Sequence, residues 1–268
     1  MQNELTLREI QLNSLKILKK IKEICEKENI TYFLGYGTLL GAIRHQGFIP
    51  WDDDIDIMMP REDYEKFIEY CIINEKELEY FSLKHYLTSK EYIYPIARFC
   101  DTRYEIQYEN TKDYGLGLFV DIYPLDGIDL NDKRFIQQLQ WRQKLIDLCG
   151  TTKYIFPKLK IKNLIKYPLF LISRLLKINK LLQELDKFSK KYNYKNMKNI
   201  ECTVWTSKYH RISKEAFEKM KICKFEDDYF NIPEGYDEIL REYYGNYMEL
   251  PSVENQIGHH FYKAFRKM

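Results

Sequence analysis

The chain has 268 residues, 45% hydrophobic and 31% charged, a length for one large domain or two small ones and a balance that excludes a disordered segment. Forty-two basic side chains against 40 acidic ones leave a net charge of +2, which excludes a protein that coats nucleic acid by overall charge. No apolar run approaches the roughly 18 residues that a membrane-spanning helix needs. The opening Met1-Gln2-Asn3-Glu4-Leu5 is neither basic nor apolar, so no secretory signal is expected. Cys25, Cys71, Cys100, Cys149, Cys202 and Cys223 are scattered, with no C-x-x-C pair. Reduced thiols in a cytoplasmic enzyme fit that spacing better than zinc ligands or a disulfide framework.

Taken in chain order, Thr6 to Lys27 reads as an amphipathic helix, with Leu12, Leu15, Leu18, Ile21, Ile24 and Cys25 at helical spacing. Thr6 with Glu9 predicts a capping box. Ile30 to Gly35 reads as a short buried strand. Gly37-Thr38 opens a short helix through Leu39, Leu40, Ala42 and Ile43, with Thr38 as its expected cap. Gly47 and Pro50 break the chain, and Asp54 to Met59 alternates acidic and apolar residues with a strand period. Pro60 then starts a helix over Arg61–Cys71. Strand-like runs follow at Tyr80–Leu87, Ile93–Asp101, Tyr104–Tyr108 and Leu118–Pro124. Lys133 to about Tyr192 is mostly helical, and the remainder mixes short elements. An α/β N-terminal half and a mainly helical C-terminal half are expected, with a boundary near Gly127–Lys133.

Asp52-Asp53-Asp54-Ile55-Asp56 places four carboxylates within five residues. On a strand, Asp54 and Asp56 share a face with Cα atoms roughly 6.5–7 Å apart, a spacing that lets both coordinate a hard cation. Uncompensated carboxylates inside a buried strand are costly, which favours a metal site over an exposed acidic turn. The helix start at Gly37-Thr38 offers free N–H groups to phosphate. Asp121, alone in the apolar run Phe119-Val120-Asp121-Ile122, is the candidate third acid; Asp126 reads rather as a turn residue before Gly127. Arg44 and Arg98 are candidates for binding substrate phosphate, or for salt bridges to the acidic cluster itself. His45 is a candidate general base or a helix-end group.

The stretch Tyr36-Gly37-Thr38-Leu39-Leu40-Gly41-Ala42-Ile43-Arg44-His45-Gln46-Gly47-Phe48-Ile49-Pro50-Trp51-Asp52-Asp53-Asp54-Ile55-Asp56-Ile57 closely resembles the signature of the LicD family, nucleotidyltransferase-fold enzymes related to the fukutin group. Met59-Pro60-Arg61-Glu62-Asp63-Tyr64, Val120-Asp121-Ile122-Tyr123-Pro124-Leu125-Asp126 and Ile232-Pro233-Glu234-Gly235-Tyr236, with Tyr244-Gly245-Asn246-Tyr247-Met248 after it, extend the likeness. The resemblance implies an α+β fold: a nucleotidyltransferase-like mixed sheet with flanking helices as a catalytic core over 1–130, and a mainly helical region over 131–268 completing the substrate site. It implies transfer of phosphocholine from CDP-choline to a cell-surface glycan of lipopolysaccharide or teichoic acid type, with Mg²⁺ or Mn²⁺ and release of CMP. Asp54 and Asp56 would be paired metal ligands and Asp121 the third, with Gly37 and Thr38 shaping the nucleotide-phosphate turn. A nucleotidyltransferase adding NMP to a small molecule is the second enzyme reading. A catalytically inactive binding module is the third, and the retained acids at 54, 56 and 121 argue against it. No nucleic acid partner is expected. Choline's quaternary ammonium calls for an aromatic cage, for which Tyr36, Trp51, Tyr104, Tyr108, Trp205 and Tyr209 are available.

Residues 158–195 carry 11 Lys or Arg against Glu184 and Asp186, with leucines between them. Basic and leucine-rich faces on one helix suggest peripheral contact with an anionic membrane, or a core-packed helix with a solvated basic face. The expected location is cytoplasmic, with possible attachment to the inner membrane face.

Overall fold

Thr6 and Glu9 close the capping box, each side chain accepting from the other's N–H, and start α1 (Leu7–Glu28). The computed structural model describes residues 4–108, 115–151, 167–168, 170–258 and 262–267. Ile17, Leu18 and Ile21 are fully buried along the inner stripe of α1, each contributing about 1.5–3 kcal/mol. Asn29 ends the helix in left-handed backbone, and β1 (Phe33–Leu34) follows, shorter than its β-rich run suggested.

The remaining elements are α2 (Tyr36–His45), β2 (Asp56–Pro60), α3 (Arg61–Ile73), β3 (Phe81–Lys84), β4 (Ala97–Asp101), β5 (Tyr104–Tyr108), β6 (Leu118–Ile128), α4 (Lys133–Gly150), α5 (Ile178–Ser189), β7 (Asn199–Glu201), β8 (Met220–Phe225), β9 (Asp228–Pro233), α6 (Tyr236–Tyr244) and β10 (Tyr262–Arg266). The fold is α+β, with a mixed sheet in the order β1-β2-β6-β4-β3 and β7 added beside the end of β6. β2 and β6 are parallel; the other pairs are antiparallel. The central pair reads as near-continuous apolar sequence because both of its sides are covered, with α1 against β4 and β6 and α3 against β2, β3 and β6. β8 and β9 form a separate hairpin, and β5 pairs antiparallel with the distant β10.

Three sequence expectations need correction. Asp54 precedes the strand, which starts at Asp56. Thr38 does not cap α2; Gly35 occupies the N-cap, and Thr38 Oγ1 instead accepts the Asp56 N–H at 2.8 Å. Asp126 is not a turn residue. β6 continues through it, and its buried carboxylate takes two hydrogen bonds from Arg61, at 2.7 and 2.5 Å, and one from the Thr203 hydroxyl. Arg61 also reaches Asp186 on α5 at 2.8 Å. One guanidinium thereby joins α3, the end of β6 and the α4–α5 layer, whose own core contains Phe135, Leu139, Ile146, Leu182 and Leu185.

His85 follows β3, is 2% exposed, and accepts the Leu87 N–H at its Nδ1. Burial holds its pKa down to about 3, against 6.5 for a free imidazole. As pH falls below 6.5 the unfolded chain takes up this proton first, so the stability contributed by neutral His85 is progressively lost down to about pH 3. Urea unfolding of His85→Phe should therefore lose on the order of 2–3 kcal/mol less than the unsubstituted chain between pH 7 and pH 4. Equal losses would show that His85 protonation does not contribute.

Candidate functional site

β2 and β6 set Asp56 and Asp121 side by side in register, and β4 sets Arg98 opposite Asp121. Arg98 is 2% exposed and donates to both oxygens of Asp121, at 2.6 and 3.2 Å. Its guanidinium lies 3.7 Å from the Tyr94 ring centre and 4.0 Å from that of Phe119. The ion pair of Arg98 is with Asp121, the candidate third acid, and not with the acidic run 52–56. Among the described residues Asp56 has no such cationic partner, and its Oδ1 is buried without a hydrogen bond. Burial, then Asp54, Asp121 and Asp52, raise its pKa well above the usual carboxylate range, while the Tyr123 hydroxyl favours the ionised form.

The other acids lie on the loop between α2 and β2. Gln46 ends α2 in left-handed backbone, and the returning chain passes so close that a Cβ on Gly41 would meet Gly47 O at 2.5 Å. Distant side chains pin this loop. Glu226, at the β8–β9 turn, accepts the Phe48 N–H at 3.1 Å and is itself held by Arg8 at 2.5 Å. Gln11 on α1 donates to Asp52 O at 2.8 Å, and the Tyr262 hydroxyl donates to Asp53 O at 3.1 Å. Carboxylate oxygens of Asp52, Asp53 and Asp54 lie within 4.8 Å of one another. Neither Asp56 nor Asp121 belongs to that group.

The start of α2 completes the site. The Gly35 N–H bonds Asp56 O, tying the helix to β2, and the first intrahelical bond runs from Leu39 to Gly35. The amides of Tyr36, Gly37 and Thr38 precede it and form the phosphate-attracting first turn. At Gly37 a Cβ would sit 2.8 Å from Asp52 Oδ2, so any larger residue would displace that carboxylate from the turn.

A cleft of about 600 Å³ joins these parts, lined by Tyr36, Gly37, Arg44, Trp51, Asp52, Asp54, Asp56, Tyr244 and Tyr247 among others. Arg44 donates to the carbonyls of Tyr247 and Glu249, at 2.8 and 3.2 Å, so it also holds the loop after α6 in place. His45 packs edge-on to Trp51, and its pKa is lowered by burial and by Arg44. Burial and the charges of Asp56, Asp52 and Asp54 raise the pKa of Tyr244. Of the six aromatics considered for a cage, Tyr36 and Trp51 line the cleft. Trp205 stacks on Tyr123, Tyr108 bonds Arg98, Tyr209 bonds Gln143 and Tyr104 is core. His259 and His260 lie outside the described residues. The sequence reading missed Tyr244, Tyr123, Gln11 and Glu226; each is a lone side chain whose neighbours are set by tertiary contacts.

A hard divalent cation fits this donor set: clustered carboxylates, and beside them a buried carboxylate oxygen with no hydrogen-bond donor. Asp52, Asp54 and Asp56 line the cleft and are the residues that could hold it; Asp121, the expected third ligand, has both oxygens bound by Arg98 instead. At about 10 mM Mg²⁺ and a millimolar dissociation constant, mass action adds about 1.4 kcal/mol, a rise in Tm of about 3–6 °C. Asp56→Asn should melt above the unsubstituted chain in EDTA, because it removes a repelled buried charge, and should lose the Mg²⁺ response. A Tm unmoved by both Mg²⁺ and Mn²⁺ would reject the cation site.

Residues 29–171 match the LicD/FKTN/FKRP nucleotidyltransferase domain family. The chain is 34% identical over 272 residues to the lipopolysaccharide cholinephosphotransferase LicD of Haemophilus influenzae, covering 98% of both chains. It is 36% identical over 115 residues to an uncharacterised protein of Rickettsia typhi, covering 43% of this chain and 35% of that one. The identity along nearly the whole length, together with the matched domain that contains the α2 turn, the acidic loop and β6, shows that the chain belongs to the LicD family.

Proposed function

We propose that the protein transfers phosphocholine from a CDP-choline-type donor to a hydroxyl of a cell-surface glycan of lipopolysaccharide type, releasing CMP. The observation that carries this reading is one cleft uniting a helix N-terminus with a carboxylate cluster that includes an unpartnered buried oxygen. The full-length similarity to a lipopolysaccharide cholinephosphotransferase supports the choice of donor and acceptor.

The residues divide the work by chemistry. The first-turn amides of α2 and the Arg44 guanidinium bind the donor pyrophosphate. The acceptor oxygen attacks the phosphorus that bears choline, its bond to the CMP oxygen breaks, and CMP leaves. Asp54, on the cleft wall, accepts the proton from the acceptor hydroxyl. Asp52, Asp54 and Asp56 would hold a divalent cation, which supplies charge neutralisation at the phosphoryl oxygens. Arg98, bound to both oxygens of Asp121, keeps the acid beside Asp56 neutralised. Trp51 and Tyr244 offer aromatic faces to the quaternary ammonium.

Incubation with CDP-choline and purified lipopolysaccharide, with and without EDTA, should add phosphocholine to the acceptor only when the cation is present, as read by mass spectrometry. Asp54→Asn and Asp56→Asn should each lower kcat/KM by about a thousandfold while the chain stays folded, as read by circular dichroism. A mass gain of CMP would instead assign the protein as a nucleotidyltransferase.

We also propose peripheral contact with an anionic membrane. Among the described residues no helix is long and apolar enough to cross a membrane. Part of 158–195 lies outside the described residues, but beyond it Leu171, Ile172 and Leu175 are 50%, 54% and 84% exposed, beside Arg174 and Lys177. Such apolar exposure flanked by cations suits a lipid interface. Co-sedimentation with anionic vesicles should fall about tenfold in Leu175→Asp and in high salt; equal binding to neutral vesicles would remove the charge component.

A further inference from the structure

Glu201, on β7, is 1% exposed yet touches no part of the cleft wall. Its Oε1 accepts the Tyr243 hydroxyl at 2.9 Å and the Cys202 N–H at 3.0 Å. Its Oε2 accepts the His210 N–H at 3.1 Å and lies 3.1 Å from His210 Nδ1. Tyr243, near the end of α6, is therefore fixed at its hydroxyl by a carboxylate from a different strand. Its ring packs edge-on to His210 at 4.7 Å and lies 5.1 Å from the ring of Tyr36. On another side Tyr36 meets Tyr123 edge-on at 4.9 Å.

Tyr36 is the first residue of α2, and its φ is +40°, a left-handed backbone that a bulky side chain rarely adopts. Such a conformation persists only where its surroundings over-determine it, and it is typical of ligand-binding turns. Here two aromatic rings grip the Tyr36 side chain. The backbone so held carries the first amides of α2, which the proposed function assigns to the donor pyrophosphate.

We propose that Glu201 and Tyr243 are positioning residues for the donor-binding turn: the Glu201 carboxylate fixes the Tyr243 hydroxyl, the Tyr243 ring holds Tyr36 in its left-handed conformation, and the first amides of α2 are thereby aimed into the cleft. The inference rests on the CDP-choline reading and extends it to residues that never touch the substrate.

The test uses the full chain with Mg²⁺ and combines calorimetric titration of CDP with steady-state kinetics on CDP-choline. Tyr243→Phe keeps the ring and removes the hydroxyl, with its bonds to Glu201 and to Tyr36. Glu201→Gln keeps an acceptor oxygen, and Glu201→Ala removes it. Tyr243→Phe and Glu201→Ala should raise the Kd for CDP and the KM for CDP-choline about tenfold, with kcat changed less than about threefold. Glu201→Gln should restore both constants to within about threefold of the unsubstituted chain. A purely structural role would lower the Tm and the folded fraction but leave KM and Kd unmoved. Unchanged KM and Kd in Tyr243→Phe overturn the inference and leave the donor reading standing. An unsubstituted chain that binds neither CDP nor CDP-choline overturns the donor reading, and this inference with it. Should Glu201→Ala fail to fold, Tyr243→Phe decides the question alone.

Discussion

Two carboxylates held in register on adjacent parallel strands are the constraint around which the rest of this molecule is arranged. Asp56 and Asp121 neighbour each other across β2 and β6, both buried, where like charges are poorly screened and repel strongly. The protein answers one of them from within: Arg98 gives both oxygens of Asp121 a hydrogen bond, and aromatic rings cover the guanidinium. Breaking such a buried pair costs about 3–5 kcal/mol, because the survivor is left uncompensated. Asp56 is answered only by the Tyr123 hydroxyl: among the described residues its Oδ1 has no partner, and its neighbours on the loop are further acids. A fold selected for stability alone has no reason to keep that oxygen unsatisfied, whereas a site that gathers a cation and a phosphate does.

The supports of this arrangement come from far along the chain. The acidic loop is held by Gln11 from α1, Glu226 from the β8–β9 turn and Tyr262 from β10. Arg44 joins α2 to the segment after α6, and that segment supplies Tyr247 to the cleft. On another part of the core, Arg61 binds Asp126 and Asp186 together, so the α4–α5 layer is anchored to the sheet by a buried ion network rather than by apolar contact alone. The C-terminal half therefore builds part of the cleft wall, and β7 extends the sheet itself.

What was legible in the sequence was whatever depends on neighbours in the chain. The capping box at Thr6 and Glu9, the helical stripe of α1, the proline before α3 and the strand Tyr104–Tyr108 are all local patterns, and they appear where the pattern places them. Errors arose where a local pattern competed with a distant partner. Asp126 before Gly127 has the chemistry of a turn, but Arg61 and Thr203 give its carboxylate a buried home and β6 runs on through it. Thr38 has the chemistry of a cap, but the strand start at Asp56 claims its hydroxyl. Asp54 alternates like a strand residue, yet pairing with β6 begins only at Asp56.

The residues by themselves determined most element types and the concentration of acid after a glycine-flanked helix, because propensity, capping and spacing are properties of adjacent residues; the α+β class came through the family likeness that those residues carry. Only the tertiary structure decided which carboxylate is paired with an arginine and which is not, that Arg98 faces Asp121, and that Glu201 fixes the Tyr243 whose ring packs on the first residue of α2. Those outcomes follow from strand register and from packing between segments separated by up to about two hundred residues, and no local pattern encodes the partner of a side chain at that distance.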